Sequence, residues 1–172
     1  MAYICAGGNC NPRMYLTRIL GISRAGGYGT LPFDLCITTF DSIRACIETD
    51  FSEFFKDLRL IPGNNPYGDR SKAGPGLQSI TNAYGMEFNH EGPSHSHLFA
   101  EGTNDDEFYV RNDFEKFRER YLRRIENFRK LLAAYDNITI VAEHTQSDQE
   151  KILQVFSTTY PTKSFRLIRP QF

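Results

Sequence analysis

The sequence predicts an α/β fold in which a mainly parallel sheet has helices on both faces. The chain opens with an apolar segment, a glycine turn and a helix, and it closes with a helix, strand, helix, strand alternation. Such an alternation is typical of parallel strands joined by helices. The length of 172 residues and the 40% hydrophobic content suit one domain over residues 1–172. An α+β fold is the alternative.

The first strand is predicted over residues 2–6, because this short segment is apolar and ends at Gly7 and Gly8. A helix is predicted over residues 12–20, since it opens with proline, which suits a first helical turn, and is followed by Gly21 as its C-cap.

Residues 23–30 contain three glycines and predict a loop. A second helix is predicted to begin near Thr39 or Asp41, with Ile43, Cys46 and Ile47 on one face. We expect it to continue through an aromatic stretch, Phe51, Phe54 and Phe55.

Residues 61–106 form an irregular segment rich in glycine, proline, asparagine and serine, with a short strand predicted within residues 83–89. A long amphipathic helix follows from Asp113. Its aromatic and aliphatic residues recur at spacings of three and four: Phe114, Phe117, Tyr121, Ile125, Phe128, Leu132 and Tyr135.

After this helix, residues 138–142 predict a buried strand. Residues 147–160 predict a helix opened by Ser147 or Asp148, and residues 164–168 predict a last strand.

The charge balance argues against nucleic acid as a partner. Twenty basic and 21 acidic residues give a formal net charge of -1. The basic residues of the long helix alternate with glutamates, which predicts a solvated face of ion pairs; they are Arg118, Arg120, Arg123, Arg124, Arg129 and Lys130. The apolar runs are shorter than the roughly 20 residues that span a bilayer. We therefore expect a soluble cytoplasmic protein with no membrane partner.

The four cysteines lie within the first 46 residues and include no CxxC pair, which excludes a zinc ribbon and a disulfide scaffold as first hypotheses. Cys5 lies in an apolar run and predicts a buried side chain. Cys10 lies among turn-forming residues before a helix, whose N-terminus favours a thiolate. Gly8, Asn9 and Asn11 would line an oxyanion site there. The alternative is an inert thiol in a glycine turn.

A thiolate nucleophile needs a base, and the candidates are His90 and His144. His90 follows an apolar alternation that can hold its ring steady. His144 follows the predicted strand 138–142 and would emerge at the same sheet edge as Cys10 if the strands are parallel. His95 and His97 could bind a metal together with His90 or Glu91, but a solvated polar loop explains them better, so no metal or other cofactor is predicted.

Asp34 lies between Phe33 and Leu35, an apolar context that is unusual for a surface charge. Two roles are open for it. It could orient His90, or it could bind backbone N–H groups two or three residues later in the chain.

Several segments, taken in order, resemble one family. They are the turn ending in Cys10, residues 31–34, the aromatic run at 50–55, residues 84–90, and residues 121–128 of the long helix. The sequence resembles a family of uncharacterised domains described as putative papain-like cysteine peptidases, found in bacteria and large DNA viruses. The resemblance implies a nucleophile at Cys10, a base at His90 and a polar partner at Asp34, in a host cytoplasm if the source is viral.

These observations predict a thiol-dependent hydrolase or acyl transferase that acts on a peptide or another acyl substrate. The alternative is a non-catalytic module that binds a protein partner. Its support is the number of phenylalanines, 14, provided that several of them are exposed.

Overall fold

The computed structural model describes residues 2–63, 78–93, 95–100 and 102–171. The helices and strands in chain order are β1 (Ala2–Gly7), α1 (Asn11–Arg18), α2 (Phe40–Glu48), β2 (Arg59–Pro62), β3 (Gln78–Thr81), β4 (Glu87–Phe88), α3 (Arg111–Ala134), β5 (Asn137–Glu143), α4 (Gln146–Thr159) and β6 (Ser164–Ile168).

A parallel sheet in the order β1, β5, β6 confirms the predicted α/β class. Cys5 pairs with Val141 and Gly7 pairs with Glu143, so β1 and β5 end at the same edge. Cys5 and Val141 pack against Leu16 of α1. The opposite face belongs to the main core, which includes α3 and α4 residues. The predicted arrangement of helices on both faces is therefore confirmed.

A second, antiparallel sheet in the order β2, β3, β4 lies partly within the segment predicted to be irregular. The strand expected within residues 83–89 is present as the two residues of β4. Backbone hydrogen bonds between Ile37 and Glu87 connect β4 to the chain preceding α2. The remainder of the irregular segment, residues 64–77 together with 94 and 101, lies outside the described residues.

The predicted helix boundaries need four corrections. Helix α3 begins at Arg111, two residues before the predicted start at Asp113. Helix α1 ends at Arg18, two residues early. Helix α2 does not continue into the aromatic stretch, because Asp50 and Phe51 have φ values of 47° and 62°, in the left-handed region that breaks a right-handed helix. Helix α4 is capped by Thr145, whose hydroxyl accepts from the N–H of Asp148, so it begins before the predicted cap.

The buried stripe of α3 confirms the amphipathic pattern: Phe117, Tyr121, Ile125, Phe128 and Leu132 are all buried. These rings join those contributed by the chain after α2 and by β4 in an aromatic core. Every phenylalanine within the described ranges is buried or half-buried. The interaction-module alternative therefore loses the exposed aromatic surface on which it depended.

Across the described ranges, every helix falls short of the length and apolarity that crossing a membrane would require.

Candidate active site

The turn after β1 places Cys10 at the N-cap position of α1. Asn9 shapes this turn, because its side-chain oxygen accepts from the N–H of Asn11 at 2.8 Å. Gly7 is required by close packing: a Cβ on it would lie 2.4 Å from Cγ of Pro12. The glycine and the proline therefore fix the direction in which the chain leaves the strand and enters the helix.

His90 lies beside Cys10 although 80 residues separate them in sequence. Its Nε2 is 3.3 Å from the Cys10 Sγ. The ring of Phe99 packs edge-on against the imidazole, with a centroid distance of 4.3 Å. Gly92 allows the following turn to contact β3, since a Cβ there would lie 1.9 Å from the carbonyl oxygen of Gln78. Met86 and Phe88, whose packing was expected to hold the strand end before His90, are both fully buried.

Both groups favour their uncharged forms. Burial raises the pKa of the Cys10 thiol; its own backbone N–H opposes this shift, and the charge of Glu91 adds to it. Burial lowers the pKa of His90, and Glu91 opposes that shift. The predicted lowering of the thiol pKa by the helix N-terminus is therefore outweighed by desolvation. Both shifts favour the thiol over the thiolate and the neutral imidazole over the imidazolium.

Glu91, the neighbour of His90, is fully buried and forms ion pairs with Arg120 at 2.9 Å and Arg124 at 3.2 Å. The hydroxyl of Tyr121 also donates to its carboxylate, at 3.4 Å. The prediction of a solvated basic face was wrong for Arg124, which is 4% exposed. Its position, three residues after Tyr121 and next to Ile125 on the apolar stripe, is the sequence signal that could have revealed it.

Asp34 is fully buried and binds the loop that precedes it. Its carboxylate accepts from the N–H of Leu31 at 2.8 Å and from the hydroxyl of Tyr28 at 3.0 Å. These bonds hold the preceding loop, whereas the sequence predicted bonds to later residues or to His90. Burial raises the pKa of Asp34, and the N–H of Leu31 and the charge of Arg13 oppose the shift. Within the described chain, no hydrogen bond connects Asp34 to His90 and supports the prediction that Asp34 orients this ring.

His144 emerges at the predicted sheet edge, one residue after β5. Its Cε1 lies 3.8 Å from the position that a Cβ on Gly8 would take. Its Nε2 is buried and has no partner within the described part of the chain. Burial lowers the pKa of His144, against the opposing charges of Asp148 and Glu143. His90, and not this histidine, is the one at hydrogen-bond distance from the Cys10 sulphur.

The backbone donors predicted for an oxyanion are partly engaged. The N–H of Gly8 donates to the carbonyl of Glu143 at 3.3 Å, and that of Asn11 donates to the side chain of Asn9. Each N–H carries one proton, so these two are not available in this arrangement. The N–H of Cys10 stands next to the thiol sulphur, where an oxyanion would form.

The histidine-rich segment does not assemble metal ligands in the described residues, where no group of three or more His, Cys, Asp or Glu side chains could hold a metal ion. His97 contacts Asp106 through its Nδ1. Glu91 is occupied by its two arginines. His90 faces Cys10.

Comparison with known proteins decides the family. A family profile described as "putative papain-like cysteine peptidase" matches residues 1–165. The chain belongs to this family. The match includes every helix of the structure and both members of the Cys10 and His90 pair. No curated protein and no solved structure gives a significant match.

Proposed function

We propose that the protein is a thiol-dependent acyl hydrolase or acyl transferase of the peptidase type, with Cys10 as nucleophile and His90 as base. The observation that carries the proposal is the distance of 3.3 Å between the Cys10 Sγ and the His90 Nε2. A nucleophile within hydrogen-bond reach of a base is the arrangement that thiol catalysis needs. Membership of the family supports the same chemistry.

The uncharged pair sets the order of events. As the sulphur attacks the acyl carbon of the substrate, Nε2 of His90 accepts the thiol proton, and a carbon–sulphur bond forms. The backbone N–H of Cys10 donates to the oxyanion that develops on the carbonyl oxygen. When this intermediate collapses, the bond to the leaving group breaks and the imidazolium returns its proton to that group. A thioester to Cys10 remains.

The second half of the cycle uses the same base. His90 accepts a proton from water, or from another acceptor nucleophile, which then attacks the thioester carbonyl. The carbon–sulphur bond breaks, the thiolate recovers its proton from the imidazolium, and the acyl group leaves with the acceptor. Peptides and related acyl compounds are the substrate class, and the scheme uses no cofactor.

In this proposal Asn9 shapes the turn that carries Cys10, and the backbone of Gly8 and Asn11 lines the same turn.

We propose a cytoplasmic location, since Cys5, Cys10, Cys36 and Cys46 are all free thiols, as suits a reducing compartment.

The test is acylation of the protein by p-nitrophenyl acetate, followed by mass spectrometry of the intact protein and of its peptides. We expect an acetyl group on Cys10 that is lost with time, none at this position in Cys10→Ser, and acylation about 100-fold slower in His90→Gln, the effect of losing a general base. His144→Gln is the matched control, since His90, and not His144, is at hydrogen-bond distance from the Cys10 sulphur. Equal acylation of the wild type and His90→Gln would overturn the proposal.

A further inference from the structure

A cleft of about 710 Å³ adjoins the catalytic pair. Its lining comes from α1, from Arg24, Thr30 and Leu35 of the loop before α2, from residues 97–100 and 102–104, and from α3. Four arginines line it: Arg13, Arg24, Arg120 and Arg124. Its described lining residues include no carboxylate.

The positive charge of this cleft is only partly balanced. Arg120 and Arg124 share the single carboxylate of Glu91. Arg13 donates to the carbonyl of Ile22 and stacks on a tyrosine ring, and Arg24 is exposed. Neither Arg13 nor Arg24 forms an ion pair within the part of the chain that the structure describes, and the buried carboxylate of Asp34 balances Arg13 and Arg124 only at longer range. Low-dielectric walls concentrate such a field and attract anions.

An unsatisfied donor supports the same interpretation. The side chain of Arg124 is 4% exposed, and its Nη1 is buried without a hydrogen-bond partner in the described chain. Leaving a buried charged donor unpaired is costly, so such a group calls for an acceptor. Arg124 is one of the residues that line the cleft, together with Arg24 and Arg120. A guanidinium group can donate two parallel hydrogen bonds to two oxygens of one carboxylate or phosphate.

The position of the cleft connects it to catalysis. Met14, one turn after Cys10 on α1, lines it, and so does Thr17. Phe99 lines it as well and packs on the His90 ring. Helix residues rise about 1.5 Å each, so Thr17 lies roughly 10 Å along the helix from Cys10. An extended peptide spans that distance with about three residues.

We propose that the cleft binds an oxyanion group of the substrate, a carboxylate or a phosphate, about three residues from the acyl carbon. This rests on the proposed function, because the cleft is defined as a subsite of the Cys10 reaction. The substrate class is therefore an acidic or phosphorylated peptide or acyl compound.

The first experiment measures binding without catalysis. Cys10→Ser protein is titrated with inorganic phosphate and, separately, with glutarate by isothermal calorimetry, so that the two sources of the anion are distinguished. Arg24→Gln should weaken binding of the preferred anion about tenfold, the loss of one charge-assisted hydrogen bond. Arg18→Gln, an exposed arginine of α1 outside the cleft, should leave it unchanged. Equal weakening by both variants, or no binding of either anion, overturns the proposal.

The second experiment uses the reacting thiol. Peptide vinyl sulfones that carry glutamate, phosphoserine, glutamine or lysine three residues from the electrophile are reacted with the wild-type protein. We expect the anionic probes to modify Cys10 about tenfold faster than the glutamine probe, the lysine probe to be slowest, and the preference to fall in Arg24→Gln and at high salt.

The outcomes separate the two proposals. If Cys10 reacts in a manner that depends on His90 but shows no preference for anionic probes, the subsite is wrong and the proposed function stands. If Cys10 does not depend on His90, the proposed function fails, while phosphate or glutarate titration of the Cys10→Ser protein still decides the anion site. Tighter binding of a mixed single-stranded oligonucleotide than of phosphate or glutarate would replace the substrate subsite by a nucleic-acid groove.

Discussion

The Cys10 sulphur faces Nε2 of His90 at 3.3 Å, and burial raises the pKa of the thiol and lowers that of the imidazole. In the proposed reaction, these shifts favour an uncharged pair whose proton moves from the sulphur to the imidazole as the sulphur attacks. This differs from a preformed thiolate and imidazolium, which would keep an ionised sulphur down to acid pH.

The first prediction concerns the pH dependence of Cys10 alkylation. A raised thiol pKa shifts ionisation upward, so the rate with iodoacetamide should still be increasing above pH about 8.5, the ordinary cysteine value. Rates are measured between pH 5 and 10 by mass spectrometry. Cys5, Cys36 and Cys46 are fully buried and should remain unlabelled in the native protein. A rate that is already constant below pH 6 would contradict the neutral pair.

A second prediction separates the structural role of Asp34 from a catalytic one. In Asp34→Asn, one of the donors from Leu31 and Tyr28 would face an amide N–H₂, so the free energy of unfolding should fall by about 1–3 kcal/mol. Urea unfolding measures this change. The substitution His90→Gln should slow Cys10 alkylation by the same factor in Asp34→Asn as in the wild type. If Asp34 oriented His90, the substitution would have almost no further effect in Asp34→Asn.

The strands and helices of the parallel sheet were predictable because their patterns are local. β1 and β5 are buried on both faces, so each appears in the sequence as an unbroken apolar run. The antiparallel sheet was not predictable, because β2 is largely exposed and β4 consists of two residues that form a strand only through their pairing with β3. The end of α2 was mispredicted since an aromatic stretch carries no signal for left-handed backbone at Asp50.

The candidate site was predictable to a similar degree. The position of Cys10 follows from a glycine turn between a strand and a helix, which is local information. The partners of Glu91 were not predictable in this way, because Arg120 and Arg124 reach it from another helix. Desolvation of the thiol also depends on tertiary packing. The helix N-terminus alone therefore predicted a lowered pKa for Cys10, whereas burial raises it.

The third prediction concerns the buried charge cluster. In Glu91→Gln, two guanidinium groups lose their shared carboxylate while Arg124 remains buried, which should lower the free energy of unfolding by about 3–5 kcal/mol. The variant also removes a negative charge that raises the pKa of Cys10, so the alkylation profile should move to lower pH.

The matched control for this variant is Glu126→Gln. Glu126 pairs with Lys130 on the exposed face of α3, the helix that carries Arg120 and Arg124, and its loss should change stability little. Urea unfolding of the two variants gives the comparison, and equal stability of both would show that the buried cluster contributes nothing specific. Should Glu91→Gln not fold, the milder Arg120→Lys, at a partly exposed partner, tests the same cluster.

The last prediction concerns the turn that presents the nucleophile. In Gly7→Ala the new Cβ would lie 2.4 Å from Cγ and 2.7 Å from Cδ of Pro12, so either the proline ring or the strand end must shift. Overpacking of this kind costs about 1–3 kcal/mol. In Gly8→Ala the nearest atoms lie at 3.7 Å or more, which is ordinary contact, and stability should stay within about 0.5 kcal/mol of the wild type. Thermal unfolding of the two neighbouring variants checks this. A Gly8→Ala protein as unstable as Gly7→Ala would mean that the whole turn tolerates no side chain, and that Pro12 is not the group that requires a glycine.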